Sequence, residues 1–579
     1  MTPLMASRAH ANPSQTPATL SDVIAMVMAD QSLGAARRHD ICSALRIVAK
    51  VLGRRPEEVP ANPNHLRERL KSFTPAMAGL AAPRWRNVLS LTRSALKRTG
   101  VAHMPARNCR QLSPPWADLI RSLKDRRLRI GLSRLASYAS MQGVEPPDVD
   151  DRFMDRFRDD LVHNSLVVKP LAAHRHACVI WNRVAIANPA LSLTAVAVPQ
   201  LRDTYTLPWS SFSASLQVEV RAYLDYLAGN DILAERDFRP LRPASLFNRD
   251  FQLRQFASAL VQRGRDPESL RSLADLVATS TVKDGLRFFL ERAQNKRTQQ
   301  IHHIACFLTA TARHWVNVDA AHLEALRRIC RGLDPKDVGL TTKNRARLRQ
   351  FDNPKNVQAL LALPQRLVAA ASRETGPTHA KALSVQTALM IEILIMMPIR
   401  IKNLASLVLD RHILRGQGRG RSQVHLVIPG SETKNSMDFE AALPSSTVAL
   451  LDLYLERYRP LLLDGPSSWL FPGRQNGPKS EQAIRSQIQI CLATKCGVKV
   501  NPHLFRHIAA KIHLDRNPGA YGFVRLLMGH KSVETTTRFY AGMEGAAALE
   551  HYDNNILKQR AKPTAQAKSV GSVRRAGRK

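Results

Sequence analysis

Residues 501–507 read Asn-Pro-His-Leu-Phe-Arg-His, and they decide how the C-terminal part of the chain is interpreted. Asn501 is a favoured N-cap, and Pro502 suits a first helical turn because its missing N–H costs nothing there. His503 and Arg506 then share one helix face, roughly 5–6 Å apart. Together they can hold one phosphate at the positive end of the helix. A solvated helix face in a basic protein gives the same pattern, so further motifs have to decide.

Further motifs surround this stretch, and their order along the chain is informative. Arg400 follows a long apolar run, and Lys434 lies in a turn between two segments that alternate apolar residues with other residues, as strands do. His530 follows Gly529, a residue typical of a helix C-cap. Tyr540 comes ten residues after His530. The sequence therefore offers two arginines, a lysine, two histidines and a tyrosine for one site.

This ordered set resembles the catalytic residues of the tyrosine recombinase (phage integrase) family, over about residues 354–550. The resemblance implies that Tyr540 attacks a DNA backbone phosphorus and leaves a 3′-phosphotyrosine and a free 5′-hydroxyl. It implies that Arg400 and Arg506 hold the non-bridging oxygens, because a planar guanidinium suits phosphate. Lys434 would protonate the departing 5′-oxygen. Lys402 and Lys531, which lie close to other motif residues, remain alternatives for this acid.

The two histidines complete the implied set. His503 would accept or relay the tyrosine proton, and His530 would hydrogen-bond the phosphate or the nucleophile. Because lysine and arginine neutralise the phosphate, the resemblance implies no metal and no cofactor. The seven cysteines and the pair at 302–303 show no metal-ligand spacing, which agrees with this expectation.

Two positions depart from the family pattern. Asn403 occupies the place, three residues after the first arginine, where the family usually has a carboxylate. Tyr540 is one residue further from His530 than is usual, and Phe539 has the commoner position. One residue rotates a helix by about 100 degrees, so the preceding loop must absorb the difference. We prefer Tyr540 to Tyr521, which precedes the Gly-His motif, and to a tyrosine at 552, which follows the core.

The charge of the chain indicates a polyanionic partner. Its 579 residues include 85 Lys and Arg against 47 Asp and Glu, a formal net charge of +38, and 44% of them are hydrophobic. This composition supports several folded domains and favours binding to nucleic acid. The longest apolar run, 388–399, contains Glu392 and is too short to span a bilayer, so a buried helix is expected. The N-terminus lacks the apolar segment of a secretory signal, so a cytoplasmic, nucleoid-associated protein without membrane contact is expected.

The chain is expected to be mainly α and multidomain, with a C-terminal α-helical catalytic domain that carries a small three-stranded antiparallel sheet. An internal repeat precedes it: eight residues of 32–59 recur at an offset of 90, and the Leu-Ala-Ala of 80–82 recurs at 171–173. The expected parts are a disordered segment 1–19, helical repeat unit 1 at 20–105, helical repeat unit 2 at 110–190, a core-binding-like helical DNA-binding domain at 245–345, the tyrosine recombinase catalytic domain at 354–557 and a basic disordered tail at 558–579. The loop 416–421 is either a flexible hairpin loop or a phosphate contact.

The resemblance favours a site-specific DNA recombinase or integrase, of the sort that mobile elements encode. The implied partners are double-stranded DNA at attachment sites, a homotetramer on two duplexes and accessory DNA-bending or directionality proteins. A type IB topoisomerase or hairpin telomere resolvase shares the tyrosine chemistry. A catalytically inactive DNA-binding accessory protein is the third alternative, because of Asn403. Whether the two repeat units contact DNA or protein stays open.

Overall fold

The computed structural model describes residues 17–102, 112–201, 204–231, 233, 237–335, 339–373, 376–416, 423–434, 436–473, 476–529, 532–540, 552–553 and 556–557. The chain forms two compact units, one made of 1–199 with 338–579 and the other of 200–337. Several predicted features lie outside the described residues: the N-terminal segment up to residue 16, the loop 417–421, His530, Lys531 and the tail 558–579.

The first helical module surrounds a hydrophobic core that runs from Leu20 to Val101. Its helices are α1 (Leu20–Ala29), α2 (Ala35–Val51), α3 (Pro63–Leu70) and α4 (Ala82–Arg98). The second helical module has its own core, from Trp116 to Val196. Its helices are α5 (Pro114–Ser122), α6 (Arg126–Gln142), α7 (Asp151–His163) and α8 (Pro170–Ala187).

The unit 200–337 is a separate bundle with a core from Phe212 to Leu326. Its helices are α9 (Ala214–Ala228), α10 (Pro243–Gln262), α11 (Leu273–Val277), α12 (Thr279–Arg292), α13 (Gln299–Thr311) and α14 (Ala320–Leu333). The boundary at 245, placed by its proline-rich flanks, leaves α9 outside, although Leu216, Val220 and Tyr223 of this helix are buried in the core. The compact unit therefore begins earlier than the proline clusters indicate.

The two modules and the bundle share one local arrangement. In each, a long helix is followed by a glycine with positive φ: Gly53 (69°), Gly143 (70°) and Gly264 (92°). Three residues later a proline opens a single 3-10 turn, at Pro56, Pro146 and Pro267, and a helix with a side-chain N-cap follows. Glycine adopts this backbone conformation without the strain of a Cβ. The bundle thus shares more with the modules than the Gly-x-x-Pro turn visible in its sequence.

The C-terminal domain is built on the core from Leu340 to Ile508. Its helices are α15 (Thr342–Leu348), α16 (Pro354–Leu361), α17 (Leu363–Ser372), α18 (His379–Met396), α19 (Ile401–Ala405), α20 (Leu409–His412), α21 (Ser445–Leu453), α22 (Glu481–Lys495), α23 (Leu504–Arg516), α24 (Tyr521–Met528) and α25 (Val533–Tyr540). Its strands are β1 (Ile413–Gly416), β2 (Gln423–Ile428) and β3 (Phe439–Ala442). The mainly α, multidomain fold with a small sheet is confirmed.

The sheet is antiparallel in the order β1-β2-β3. Val424, Leu426 and Ile428 of β2 alternate into the core, as their spacing predicts. The short apolar run Leu407-Val408-Leu409 has a composition typical of a strand, but it is not a strand of this sheet. Val408 makes one isolated bridge to Trp469, and α20 begins at Leu409, so apolarity there reflects burial beside the sheet.

Helix α18 forms the centre of this domain. It is the one helix, within the part of the chain that the structure describes, with the length and apolarity to cross a membrane, and 61% of that stretch is buried in the protein. Glu392 is 3% exposed, and its Oε1 accepts a hydrogen bond of 3.1 Å from Thr447. Burial raises the pKa of this carboxyl. The helix has the features of a core helix, as its charged residue predicts.

The first module contacts the C-terminal domain through the loop after α3. Thr74 Oγ1 donates to Gln350 Oε1 at 3.0 Å, and the Ala76 N–H donates to the Gly497 carbonyl at 3.3 Å. A Cβ at Gly497, where φ is 71°, would lie 3.0 Å from Pro75 Cβ. The close approach therefore requires glycine.

The first module also holds the second. Arg67 on α3 is 5% exposed, and its guanidinium donates to the carbonyls of Leu161, Val162 and Ser165. The last carbonyls of a helix such as α7 lack partners within the helix, so the arginine satisfies them. The two modules and the C-terminal domain therefore have direct contacts within one compact unit.

Candidate active site

Arg506 connects the motif segments. It lies on α23 and is 7% exposed, and its guanidinium donates to the Pro398 carbonyl at 2.7 Å and to the Met528 carbonyl. Pro398 is two residues before Arg400, and Met528 is two residues before His530. Burial, followed by the charge of Arg400, lowers the pKa of Arg506 to about 10, so it remains a cation at neutral pH. Three segments far apart in sequence thus meet at this side chain.

Arg400 stands between α18 and α19, where it is the N-cap residue of α19. Its side chain is half-buried, and burial lowers its pKa. A guanidinium stays charged in proteins even so. With Arg506 it gives two planar donors at one place, which is the arrangement that phosphate binding needs.

His503 is the N-cap residue of α23, and the structure brings both arginines and Lys434 close to it. Desolvation, and then the charges of Arg506, Arg400 and Lys434, lower the pKa of His503. The prediction that Asn501 is the N-cap is wrong, because the helix begins at Leu504; Asn501 Oδ1 instead accepts from the Leu504 N–H at 2.9 Å and closes the turn before the helix. A histidine with this lowered pKa is neutral at pH 7, so it can accept a proton.

Tyr540 ends α25 and is 1% exposed, packed in a small core with Ala510, Leu514, Val524 and Met528. Burial raises its pKa to about 12, with a smaller opposing effect of Arg506. The tyrosine is therefore protonated at neutral pH. Neither rival has this setting, because Tyr521 is partly buried at the start of α24 and Tyr552 is 62% exposed.

The hydroxyl of Tyr540 is hydrogen-bonded to His507, with 2.9 Å between Oη and Nδ1. His507 is one helical turn after His503, and the two rings meet edge to face at 5.5 Å between centroids. Sequence reasoning missed this residue, although it ends the quoted stretch 501–507. Its spacing of four from His503, which places both on one face of α23, was the available signal.

Lys434 lies in the turn between β2 and β3, and its side chain is exposed. The turn is closed by Thr433, whose Oγ1 donates to Met437 O at 2.8 Å, and by Asp438, which accepts from the Gly430 N–H at 2.6 Å. Lys402, the alternative acid, is exposed on α19. The charge of Lys434 contributes to the lowered pKa of His503, whereas Lys402 has no such effect among the described residues.

Glu432 holds this turn in place through its backbone carbonyl and its carboxylate. Its carbonyl accepts from Asn403 Nδ2 at 3.3 Å, its Oε2 lies 3.0 Å from His412 Nε2, and its Oε1 lies 2.5 Å from Arg411. His412 is 1% exposed, and its Nδ1 accepts from the Val408 N–H, so Nε2 carries the proton. Asn403 thus anchors the lysine turn, a role that needs an amide donor rather than a carboxylate.

The arrangement has the parts of a phosphoryl-transfer site that uses a tyrosine. Two arginines and a lysine can neutralise a phosphate, and a buried hydroxyl with a histidine partner stands nearby. No group of three or more His, Cys, Asp or Glu residues that could hold a metal occurs in the described residues.

Residues 356–544 match the model of the phage integrase family. This part of the chain, about a third of its length, is therefore similar to the phage integrase family, whose members are the tyrosine recombinases. No curated protein sequence matches the chain.

Three solved structures are among those similar to the chain. XerA recombinase is 18% identical over 58% of this chain and 98% of its own, with a TM-score of 0.23. A lambda integrase (75–356) dimer bound to a COC′ core site is 16% identical over 56% of this chain and 94% of its own, with a TM-score of 0.34. The Tn1549 transposon integrase (aa 82–397) in complex with circular intermediate DNA is 12% identical over 57% of this chain and 99% of its own, with a TM-score of 0.34.

Proposed function

We propose that the protein is a site-specific DNA recombinase or integrase that cuts and rejoins DNA through a 3′-phosphotyrosine intermediate. The observation that carries the proposal is the convergence of Arg400, Lys434 and Arg506 on His503, with Tyr540 held by the next histidine of the same helix. The proposed substrate is double-stranded DNA at the attachment sites of a mobile element. The proposed assembly is a homotetramer on two duplexes, with accessory DNA-bending or directionality proteins, in the cytoplasm at the nucleoid.

In the proposed reaction, the Tyr540 oxygen attacks the phosphorus while its proton passes to His507, which already contacts it. Arg400 and Arg506 bind the non-bridging oxygens and stabilise the charge that grows in the transition state. Lys434 gives a proton to the 5′-oxygen as it leaves. His503, whose ring meets that of His507 edge to face, relays this proton in its neutral form, and His530 is proposed to hydrogen-bond the phosphate or the nucleophile. The phosphotyrosine bond conserves the energy for rejoining.

Covalent trapping on a nicked duplex tests the proposal. In this suicide substrate the fragment with the 5′-hydroxyl diffuses away, so the protein remains linked to DNA. An adduct that maps to Tyr540 excludes the inactive accessory protein. Strand exchange between two duplexes supports a recombinase, whereas relaxation of supercoils by monomers without exchange supports the topoisomerase alternative.

The rate of adduct formation should depend on pH through His503. Its pKa is lowered, so the neutral form persists as the pH falls through 6.5, the ordinary value for histidine. We expect a rate that is constant near pH 7 and decreases only below that ordinary value. His503→Gln should be slower and should lack this acid limb. An unchanged limb in the variant would assign the titration to another group.

The Glu432 network should act on the reaction through Lys434. Glu432→Gln removes the charge that pairs with Arg411 and His412, and hydrogen bonds to charged groups contribute about 1.5–3 kcal/mol each. We expect adduct formation to slow by about tenfold, which corresponds to about 1.4 kcal/mol. A substrate with sulfur in place of the bridging 5′-oxygen should restore the rate, because it needs no acid.

The matched control is Arg415→Ala, which removes an ion pair between β1 and Asp452, away from the turn. Its rate should stay near that of the unaltered chain. A slow Glu432→Gln protein that sulfur does not rescue would show that Glu432 acts on folding rather than on the lysine.

A further inference from the structure

Three basic residues of the C-terminal domain and one of the second module act on one another through their charges. Lys169 immediately precedes α8 of that module, and Lys343 and Arg347 lie one turn apart on α15. Lys499 stands two residues before the stretch 501–507. We name these four residues the junction cluster.

Gln350 fixes two members of the junction cluster relative to each other. It is 3% exposed, and its Oε1 accepts from the Lys499 N–H at 2.9 Å while its Nε2 donates to the Arg347 carbonyl at 2.8 Å. The same Oε1 accepts from Thr74 of the first module. The first module also holds the end of α7 through Arg67, so it anchors the segment that leads to Lys169. The cluster is therefore built by folded contacts rather than by flexible side chains alone.

The positive charges of the junction cluster act on one another. Desolvation, and then Arg347, Lys343 and Lys169, lower the pKa of Lys499. The three lysines are exposed and Arg347 is half-buried. Across the described ranges, none of the four side chains forms an ion pair, whereas arginines elsewhere, such as Arg263 and Arg331, pair with carboxylates. Like charges brought together without counterions repel, so an anion that binds them relieves the repulsion.

The position of the junction cluster indicates which anion it binds. Lys499 is four residues from His503, and the loop between them leads into α23, so the cluster is directly connected to the catalytic helix. The nearest polyanion to that helix is the substrate itself, whose duplex carries one negative charge per roughly 1.7 Å of axis. Lysines are suited to contact backbone phosphates as point charges, without reading bases.

We propose that the junction cluster binds backbone phosphates of duplex DNA that flank the cleaved phosphate. The second module, through Lys169, then takes part directly in DNA binding. This inference rests on the proposed function, because it takes the substrate of the catalytic site as its ligand.

The test measures how DNA affinity depends on salt. The chain carries Tyr540→Phe throughout, so that no cleavage occurs, and the probe is a linear duplex of mixed sequence. The combination of Lys169→Ala, Lys343→Ala and Lys499→Ala should make the slope of log K against log salt shallower by about 0.9 for each phosphate that the protein no longer neutralises. Lys499→Arg should keep the slope of the parent, because it retains the charge.

The control removes three arginines that already pair with carboxylates: Arg121→Ala, Arg331→Ala and Arg415→Ala. It has the same change in formal charge and should leave the slope close to that of the parent. Equal slopes for the lysine combination and the control would overturn the inference. A second result would also overturn the inference. If inorganic triphosphate stabilises the protein against unfolding only when these lysines are present, while the salt slope for the duplex is unchanged, the cluster binds a small anion instead.

The proposal about the junction cluster and the proposed function can fail independently. If the lysine combination has a shallower slope while the chain with Tyr540 forms no adduct, the junction cluster stands as a DNA-binding surface and the catalytic proposal fails. If the adduct forms at Tyr540 and the slope does not change, the inference about the cluster fails alone.

Discussion

Tyr540→Phe is expected to bind and assemble on DNA normally and to form no covalent adduct with a nicked suicide duplex. The phenyl ring keeps the packing against Val524 and Met528, and only the attacking oxygen is removed. His507 loses one hydrogen bond, so the free energy of unfolding is expected to decrease by about 0.5–1.5 kcal/mol. Adduct formation is measured on denaturing gels, and the linked peptide is mapped by mass spectrometry.

Tyr552→Phe is the matched control, because that residue is exposed and outside the packed core. It should form the adduct at the rate of the unaltered chain. An adduct that persists in Tyr540→Phe, or that maps to Tyr521 or Tyr552, would show that the nucleophile is a different tyrosine. An absence of adduct in the unaltered chain would reject the enzyme and leave the inactive accessory protein.

Lys434→Ala is expected to cleave ordinary DNA slower by about two to four orders of magnitude and to recover most of its rate on a bridging 5′-sulfur substrate. An alkoxide leaves poorly without a proton, since water has a pKa of about 15.7, whereas a thiol ionises near about 8.5. Because Lys434 is exposed, its replacement should leave folding intact. The measurement compares single-turnover rates on the two substrates.

Arg400→Ala is the control for this rescue, because the sulfur leaves the non-bridging oxygens unchanged. It should be slow on both substrates. Arg506→Ala is less suited as a control, since the Arg506 guanidinium also hydrogen-bonds the carbonyls of Pro398 and Met528. Its removal is therefore expected to disturb the fold. Rescue that appears for Lys402→Ala or Lys531→Ala, and not for Lys434→Ala, would move the general acid to that lysine.

The sequence predicts those features that depend on local patterns. The alternation of 424, 426 and 428 predicts β2, and the position of Gly529 predicts the end of α24, where its φ is 57°. The strand pattern at 407–409 misleads, because burial against the core makes a run apolar whether or not it pairs in a sheet. Three apolar residues in a row are too few to separate these cases.

The remaining features depend on contacts between distant segments. His507 becomes the partner of Tyr540 only because α25 returns to α23, across 33 residues. The hydrogen bond between Thr74 and Gln350 spans 276 residues, and no periodicity in either segment encodes it. The role of Asn403 likewise follows from the position of the Glu432 carbonyl rather than from its own type. Such tertiary pairings require the folded chain.

The burial of Tyr540 has a consequence for the safety of the host chromosome. A recombinase of the proposed kind passes over very many phosphates before it reaches its own site, and each is chemically identical to the correct one. Because Tyr540 is 1% exposed and its hydroxyl is hydrogen-bonded to His507, we expect a phosphate to reach this oxygen only after a local movement that uncovers the hydroxyl and keeps its contact with His507. Damage during the search is limited by the shape of the protein, independently of how well it reads the sequence of the DNA.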